Sequence, residues 1–211
     1  MLSWPVYLKI FTALLAIVDP IGSVPVFISL TDNQEKSERY RTASIAAITM
    51  AAVLICACLF GNSVLTIFGI SVASFRVGGG ILLLLVAVSM FHAKRSRQTP
   101  EEVIEAGERG GLAVVPLAIP LLSGPGAIST MIIYSAQGQG PEHIAILAAG
   151  SILLGVIVWV SLRLAIPIGN ILGRTGINIV TRLMSLLLAA IAVEFIVGGL
   201  GQLLPGLLFS P

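Results

Sequence analysis

The stretch AIVDPIGSVPVFI, residues 16–28, decides how this chain folds, because it places an acid, two prolines and a glycine inside an otherwise apolar run. A second stretch, IPLLSGPGAISTMI at residues 119–132, repeats the pattern about a hundred residues later. Proline removes a backbone hydrogen-bond donor and clashes with the preceding helical turn, while glycine tolerates non-helical dihedral angles. We therefore predict an unwound segment in each stretch.

The composition is that of a membrane protein. Of 211 residues, 56% are hydrophobic and 10% are charged, and the mean hydropathy is +1.02. Soluble domains carry about 25% charged residues, and a helix that spans a bilayer needs about 20 mostly apolar ones. We therefore predict an all-α polytopic membrane protein with a single transmembrane domain over the whole chain. The six apolar runs are residues 4–30, 42–68, 72–91, 112–135, 142–166 and 178–204.

The links between these runs carry most of the remaining polar residues. Asp32 and Glu35 form a capping-box pattern ahead of the second run, and we predict a short lead-in helix there. Pro167 is predicted to end the fifth run, because proline cannot continue a helix without losing a hydrogen bond. His92 and His143 are expected in links on opposite sides of the membrane.

Lysine and arginine are distributed unevenly among the links. The links after the second and fourth runs contain neither residue. Those after the first, third and fifth runs contain Lys36, Arg39, Arg41, Lys94, Arg95, Arg97, Arg109 and Arg174. Because short cytoplasmic loops are enriched in lysine and arginine, we predict these links in the cytoplasm of a bacterial inner membrane and both termini outside.

The two unusual stretches occupy equivalent positions in two half-chains. Pro20 and Pro125 are 105 residues apart, and Arg76 and Arg182, each near the start of the third helix of its half, are 106 apart. Three spans followed by three spans insert in opposite orientations, which is the architecture of inverted-repeat transporters. We predict six transmembrane helices as a 3+3 inverted repeat, with helices 1 and 4 broken near mid-membrane. The predicted units are residues 1–91, the cytoplasmic link 92–111, and residues 112–211.

Unwound backbone inside a bilayer requires a special environment. Each exposed amide or carbonyl costs several kcal/mol in lipid, so such backbone occurs where protein buries it or a watery cavity meets it. The helix starts that follow the breaks also attract anions. We therefore predict a substrate site between the breaks, whereas the alternative is a pair of proline kinks that merely shape packing. The predicted site residues are Asp19, Pro20, Gly22, Ser23, Ser123, Gly124, Pro125, Gly126 and Ser129.

Three charged residues inside the predicted spans are candidates for coupling or ion pairing. Asp19 has three roles open to it: capping the second half of helix 1, holding a coupling proton or cation, or binding a substrate ammonium group. Glu194 is either a protonated carboxyl group and proton-relay candidate or half of an ion pair. Arg76 would snorkel, or pair with Glu194 or a substrate anion. Arg182, on the cytoplasmic side, is expected to snorkel, and Lys9 and Arg163 are expected at the membrane interfaces.

Several function classes lack their sequence signatures. The chain has no Walker loop, zincin motif, nucleophile elbow or dinucleotide fingerprint, so we expect no enzyme and no ATP hydrolysis. We also expect no cofactor and no metal site, since Cys56 and Cys58 are too few and point in different directions on one helix. The basic links are too small and too mixed with acids to bind nucleic acid.

Four stretches together resemble the MarC family of bacterial and archaeal inner-membrane proteins. They are DPIGSVPVFISLT, FGISVASFRVGGGILLL, VVPLAIPLLSGPGAIS and TGINIVTRLMSLLLAAIAVEFIVGGL. The resemblance covers nearly all six spans and implies a multi-pass transporter fold, and an archaeal branch of the family is described as transporting glycine and alanine. The family motifs fall on Asp19, Pro20, Gly22, Pro25, Gly124, Pro125, Gly126 and Arg76. Relatives often carry asparagine in place of Asp19, which favours a capping or polar-binding role for this side chain.

The expected activity is secondary transport of a small zwitterionic solute across the lipid bilayer by alternating access. Amides after the two breaks would hold the solute carboxylate, while Asp19 or serine hydroxyls, together with free carbonyls, would hold its ammonium group. H⁺ and Na⁺ are the candidate coupling ions, and a homo-oligomer is compatible with this expectation. The alternatives are a channel-like pore, an exporter of other small solutes and a non-transporting membrane scaffold.

Overall fold

The computed structural model describes residues 2–31, 34–92, 122–138 and 140–204, and within these ranges the chain forms helices and no strand. The helices are α1 Trp4–Val18, α2 Val24–Leu30, α3 Lys36–Ile67, α4 Val72–Phe91, α5 Pro125–Ser135, α6 Pro141–Arg163 and α7 Ala165–Leu203. The predicted cytoplasmic link and the first part of the fourth predicted helix lie outside the described residues.

Four helices are long and apolar enough to cross a membrane, namely α3, α4, α6 and the part of α7 from Thr175 to Leu203. Helix α1 is apolar but has only 15 residues. Large apolar side chains such as Ile48, Phe60 and Leu183 are exposed on the long helices. A soluble monomer rarely exposes so much contiguous apolar surface. The prediction of an all-α membrane protein is confirmed, whereas the number of six spans and the division into repeats remain predictions.

The short helix α5 lies at the centre of the bundle. Nearly all of its residues are buried. In the most apolar 18-residue stretch of each long helix, by contrast, only 22% to 33% of the residues are buried. Helix α5 packs against α1, α3 and α4. The long helices therefore surround the short one, and their outer faces are left for lipid.

Helices α4 and α7 run antiparallel and approach so closely that their backbones nearly touch. A Cβ atom on Gly80 would lie 2.9 Å from the carbonyl oxygen of Ala192, and one on Gly199 would lie 2.8 Å from that of Ala73. Small residues allow this approach between membrane helices. Gly78, by contrast, has no atom within 4 Å of its Cβ position. The two helices thus depend on glycine at some positions and not at others.

The beginning of α3 differs from the prediction. Helix α3 is continuous from Lys36, so the separate lead-in helix predicted ahead of residue 42 is wrong. Glu35 precedes the helix, but its side chain makes no capping hydrogen bond, and Asp32 lies outside the described residues. The physical reason is that residues 36–41 contain neither proline nor glycine, so nothing interrupts the helical hydrogen bonds.

The boundary between the last two helices also differs from the prediction. Helix α6 ends at Arg163 and α7 begins at Ala165, so Pro167 lies in the first turn of α7 instead of ending the fifth span. Proline is tolerated in a first turn, where its missing N–H has no helical partner to lose. The interruption falls at Gly173, whose φ of 58° is accessible to glycine without strain.

We expect Gly80→Ala to lower the free energy of unfolding by about 1–3 kcal/mol, the typical cost of overpacking a close interface. Gly78→Ala is the matched control, because it adds the same methyl group on the same helix where space is open. Thermal unfolding of the purified protein in detergent measures both. Equal stability of the two variants would contradict the close packing of α4 on α7.

Candidate solute-binding site

Helices α1 and α2 are separated by residues 19–23. Asp19 has left-handed backbone angles (φ 44°, ψ 69°), a conformation that asparagine and aspartate adopt more readily than other residues with a side chain. Its Oδ1 accepts a hydrogen bond of 3.0 Å from the Gly22 amide. The predicted capping role of Asp19 is thus confirmed, and its roles toward a coupling ion or a substrate ammonium group remain predictions.

The amides that follow the interruption are already hydrogen-bonded within the protein. The Gly22 amide donates to the Asp19 carboxylate, the Ser23 amide to the Asp19 carbonyl at 3.1 Å, and the Val24 amide to the Ile21 carbonyl at 3.1 Å. The prediction that amides at the first break hold a substrate carboxylate is therefore wrong for these three. Asp19 and Ile21 thus supply acceptors for the amides at the start of α2. The first amides of a helix have no hydrogen-bond partner within the helix itself.

The interruption is enclosed by protein. Asp19 is 2% exposed and Ser23 is fully buried. The Ser23 hydroxyl donates a hydrogen bond of 2.6 Å to the Pro20 carbonyl. It thus supplies a donor to a carbonyl oxygen at the point where the helix is broken. Backbone that departs from a helix within a membrane protein requires this kind of shelter.

The second glycine–proline motif lies at the start of α5. Gly124 directly precedes the helix and Pro125 is its first residue, a position that suits the fixed φ of proline. Ser123 is fully buried, and the Ser129 hydroxyl donates to the Gly126 carbonyl at 3.1 Å. Residues before 122 lie outside the described ranges, so a break within the fourth predicted helix remains a prediction.

The structure brings the end of α1 and the start of α5 together. A Cβ atom on Gly126 would lie 3.6 Å from Cγ2 of Ile17 and 2.8 Å from Cδ2 of Leu83. Ile17 comes two residues before Asp19, and Gly126 comes directly after Pro125. The two motifs, about a hundred residues apart in sequence, are therefore neighbours in the core.

A cavity of about 160 Å³ lies at the first interruption, between the start of α2, the end of α4 and the first turns of the spanning part of α7. A Cβ atom on Gly22 would overlap both the Asp19 carboxylate and the Thr181 hydroxyl. These two polar groups therefore converge on Gly22. The cavity is lined by Gly22, Pro25, Val26, Met90, Ile177, Asn178, Thr181 and Arg182.

Three polar residues of this lining were not predicted as site residues, because Arg182 was expected to snorkel and Asn178 and Thr181 were given no role. Their spacing of three and four residues places them on one face of α7. That spacing was visible in the sequence. What the sequence did not indicate is that the face turns toward Gly22.

Arg76 does not pair with Glu194, which was one of three alternatives for this arginine. Glu194 pairs instead with Lys9 of α1, with 2.7 Å between Oε2 and Nζ, and the two side chains are 56% and 55% exposed. The Arg76 guanidinium lies over the ring of Phe195, 5.6 Å from its centroid. Successive residues of a helix point about 100° apart, so Arg76 reaches Phe195 while Glu194 faces α1.

His143 lies in the first turn of α6 and is fully buried, so its predicted place in a link is wrong. Its Nε2 is 3.0 Å from the carbonyl oxygen of Tyr134, and its Nδ1 is 2.9 Å from the hydroxyl of Tyr7. Because a carbonyl oxygen only accepts, Nε2 donates, and in the neutral imidazole Nδ1 then accepts from the Tyr7 hydroxyl. This network joins α1, α5 and α6 at the end of the bundle opposite the cavity.

The described parts of the chain contain no group of three or more histidine, cysteine, aspartate or glutamate side chains placed to hold a metal ion. Cys56 is exposed and Cys58 is buried, and neither forms a disulfide. No described residue is therefore assigned to a metal or a cofactor.

Known proteins similar to this chain are membrane proteins. A family model described as "MarC family integral membrane protein" matches residues 4–204. The chain is 40% identical to the UPF0056 membrane protein YhcE of Escherichia coli, over 98% of this chain and 97% of that protein. It is also 40% identical to the UPF0056 membrane protein MJ1677 of Methanocaldococcus jannaschii, over 92% of this chain and 95% of that protein. No solved structure matches it.

We expect Asp19→Asn to preserve the stability of the protein, because asparagine keeps the oxygen that accepts from Gly22 and tolerates the left-handed backbone. Asp19→Ala should lower the free energy of unfolding by about 1–3 kcal/mol through the lost cap and the backbone strain. Thermal unfolding in detergent compares the two. If asparagine destabilised as much as alanine, the negative charge and not the cap would hold this segment.

Proposed function

Because the chain belongs to the MarC family of integral membrane proteins, we propose that it is a secondary transporter of small neutral amino acids of the glycine and alanine type, working by alternating access. The observation that carries this proposal is the buried helix interruption at residues 19–23, which borders a cavity with polar side chains. Interrupted helices at the substrate site are a feature of several transporter folds.

The size of the cavity supports a small solute. Its volume is about 160 Å³, whereas clefts for drug-sized ligands measure roughly 300–1,000 Å³. Its lining combines a cationic side chain, an amide and a hydroxyl with the apolar side chains of Val26 and Met90. A solute with charged groups and a very small apolar part suits such a lining.

The proposed architecture is six spans arranged as a 3+3 inverted repeat. Helices α1 with α2, α3 and α4 would form the first half, and a fourth helix ending in α5, followed by α6 and α7, would form the second. Three pairs of proposed counterparts pack against each other, namely α1 with α5, α3 with α6 and α4 with α7. Contact between counterparts is what a two-fold relation between the halves produces near its axis.

The proposed location is the bacterial inner membrane, with both termini outside and the links rich in lysine and arginine in the cytoplasm. In this orientation the cavity at Gly22 lies toward the cytoplasmic side, because α2 leads into a charged link. Alternating access would then require the two halves to move so that the solute reaches the other side. A proton or a sodium ion is proposed as the coupling ion.

We expect proteoliposomes that contain the purified protein to take up labelled glycine or alanine, and Gly22→Ala to reduce the initial rate at least about tenfold. The added methyl group would overlap the Asp19 carboxylate and the Thr181 hydroxyl, and small displacements at a binding site have large effects on rate. Gly78→Ala, where space is open, is the matched control. Both variants are first checked for equal amounts in the vesicles.

The alternatives give different results in the same vesicles. Uptake that never exceeds equilibration would identify a channel-like pore, whereas accumulation abolished by an uncoupler would identify a coupled transporter. Absence of uptake across a panel of small solutes would favour a membrane scaffold. Gly126, at the start of α5, is packed against Leu83 of α4 and has no space for a leucine side chain. Full activity of both Gly22→Ala and Gly126→Leu would therefore contradict the proposed site.

A further inference from the structure

We propose that Arg182 is the residue that binds the carboxylate of the transported solute, an inference that rests on the proposed function. Arg182 lies in α7 and lines the cavity at Gly22 together with Asn178 and Thr181. A guanidinium group presents donors in a fixed fork that matches both oxygens of a carboxylate. The ligand class of this cavity is therefore a small carboxylate.

Three amides at the first interruption are already engaged and do not serve this function. The amides of Gly22, Ser23 and Val24 donate to acceptors within residues 19–21, and proline at positions 20 and 25 has no amide hydrogen to donate. Helix α2 has only seven residues, which is too short for a substantial helix dipole. An anion in this cavity would find its strongest donor in the Arg182 side chain.

Polar groups of a different chemistry lie beside Gly22. The Asp19 carboxylate and the Thr181 hydroxyl both approach the position that a side chain on Gly22 would fill. A carboxylate near the Gly22 wall and a guanidinium in the lining form an arrangement with one negative and one positive end. A zwitterion matches this arrangement when its carboxylate lies at Arg182 and its ammonium group lies toward Gly22.

Two apolar side chains limit what else the ligand can contain. Val26 of α2 and Met90 at the end of α4 line the same cavity of about 160 Å³, so the ligand has little room for a large apolar group. The structure thus assigns charge selection to Arg182 and size selection to the contacts around Gly22, Val26 and Met90.

The test compares the concentration dependence of glycine uptake by the wild type, Arg182→Gln and Arg182→Lys in proteoliposomes. We expect the KM of Arg182→Gln to rise at least about tenfold, as the loss of a charge-assisted hydrogen bond predicts. Arg182→Lys should fall between the two, because it keeps the charge and loses the fork. The control is Arg163→Gln, whose arginine lies over the rings of Tyr40 and Trp159 and should leave the KM unchanged.

Ligand analogues provide the second arm, measured as inhibition of uptake and as ligand-dependent thermal stabilisation in detergent. Glycine should protect the wild type, while glycinamide, which lacks the carboxylate, should not; neither should protect Arg182→Gln. The melting temperature without ligand shows whether each variant is folded.

The outcomes separate the two proposals. Uptake by the wild type with an unchanged KM in Arg182→Gln, or equal protection by glycine and glycinamide, would overturn the assignment of Arg182 and leave transport intact. Carboxylate-dependent protection that Arg182→Gln abolishes, without any uptake, would support the assignment and contradict transport. Absence of both uptake and protection would overturn both proposals.

Discussion

The constraint on which this structure depends is that a polypeptide in a bilayer must satisfy its backbone hydrogen bonds without water. A continuous helix meets it automatically, but the chain interrupts its first helix between α1 and α2. There Asp19 has left-handed backbone angles, and its carboxylate accepts a hydrogen bond from the Gly22 amide. The Ser23 hydroxyl donates a hydrogen bond to the Pro20 carbonyl. The interruption is thus held by local hydrogen bonds, and Asp19 and Ser23 are buried away from the lipid-facing surface.

The rest of the bundle shelters this arrangement. Helix α5 is almost wholly buried, whereas no more than 33% of the most apolar stretch of each long helix is buried. Close packing of α4 on α7 requires glycine, because at Gly80 and Gly199 the backbone of the partner leaves no space for a side chain. The end of α4 and the start of the spanning part of α7 both lie beside the interruption. Their side chains line the cavity there.

Local hydrogen bonding of the amides at the first interruption changes what can line the candidate solute site. Free helix starts were expected to hold an anion, yet three amides after the first interruption are already engaged. Polar side chains of α7 line the cavity instead. The charged pair of Lys9 and Glu194 lies elsewhere, on an exposed face between α1 and α7. The Lys9–Glu194 ion pair is therefore separate from the cavity at Gly22.

The sequence by itself determined the membrane class, the bounds of α4, the place where α1 ends and the capping function of Asp19, because hydropathy, proline, glycine and short-range caps act over a few residues. Only the tertiary structure decided which faces meet: that Glu194 pairs with Lys9, that buried His143 joins Tyr7 to Tyr134, and that Arg182 lines the same cavity as Gly22. These contacts join residues far apart in the chain. Helix rotation and packing bring them together, and the sequence of one helix does not indicate which helix it packs against.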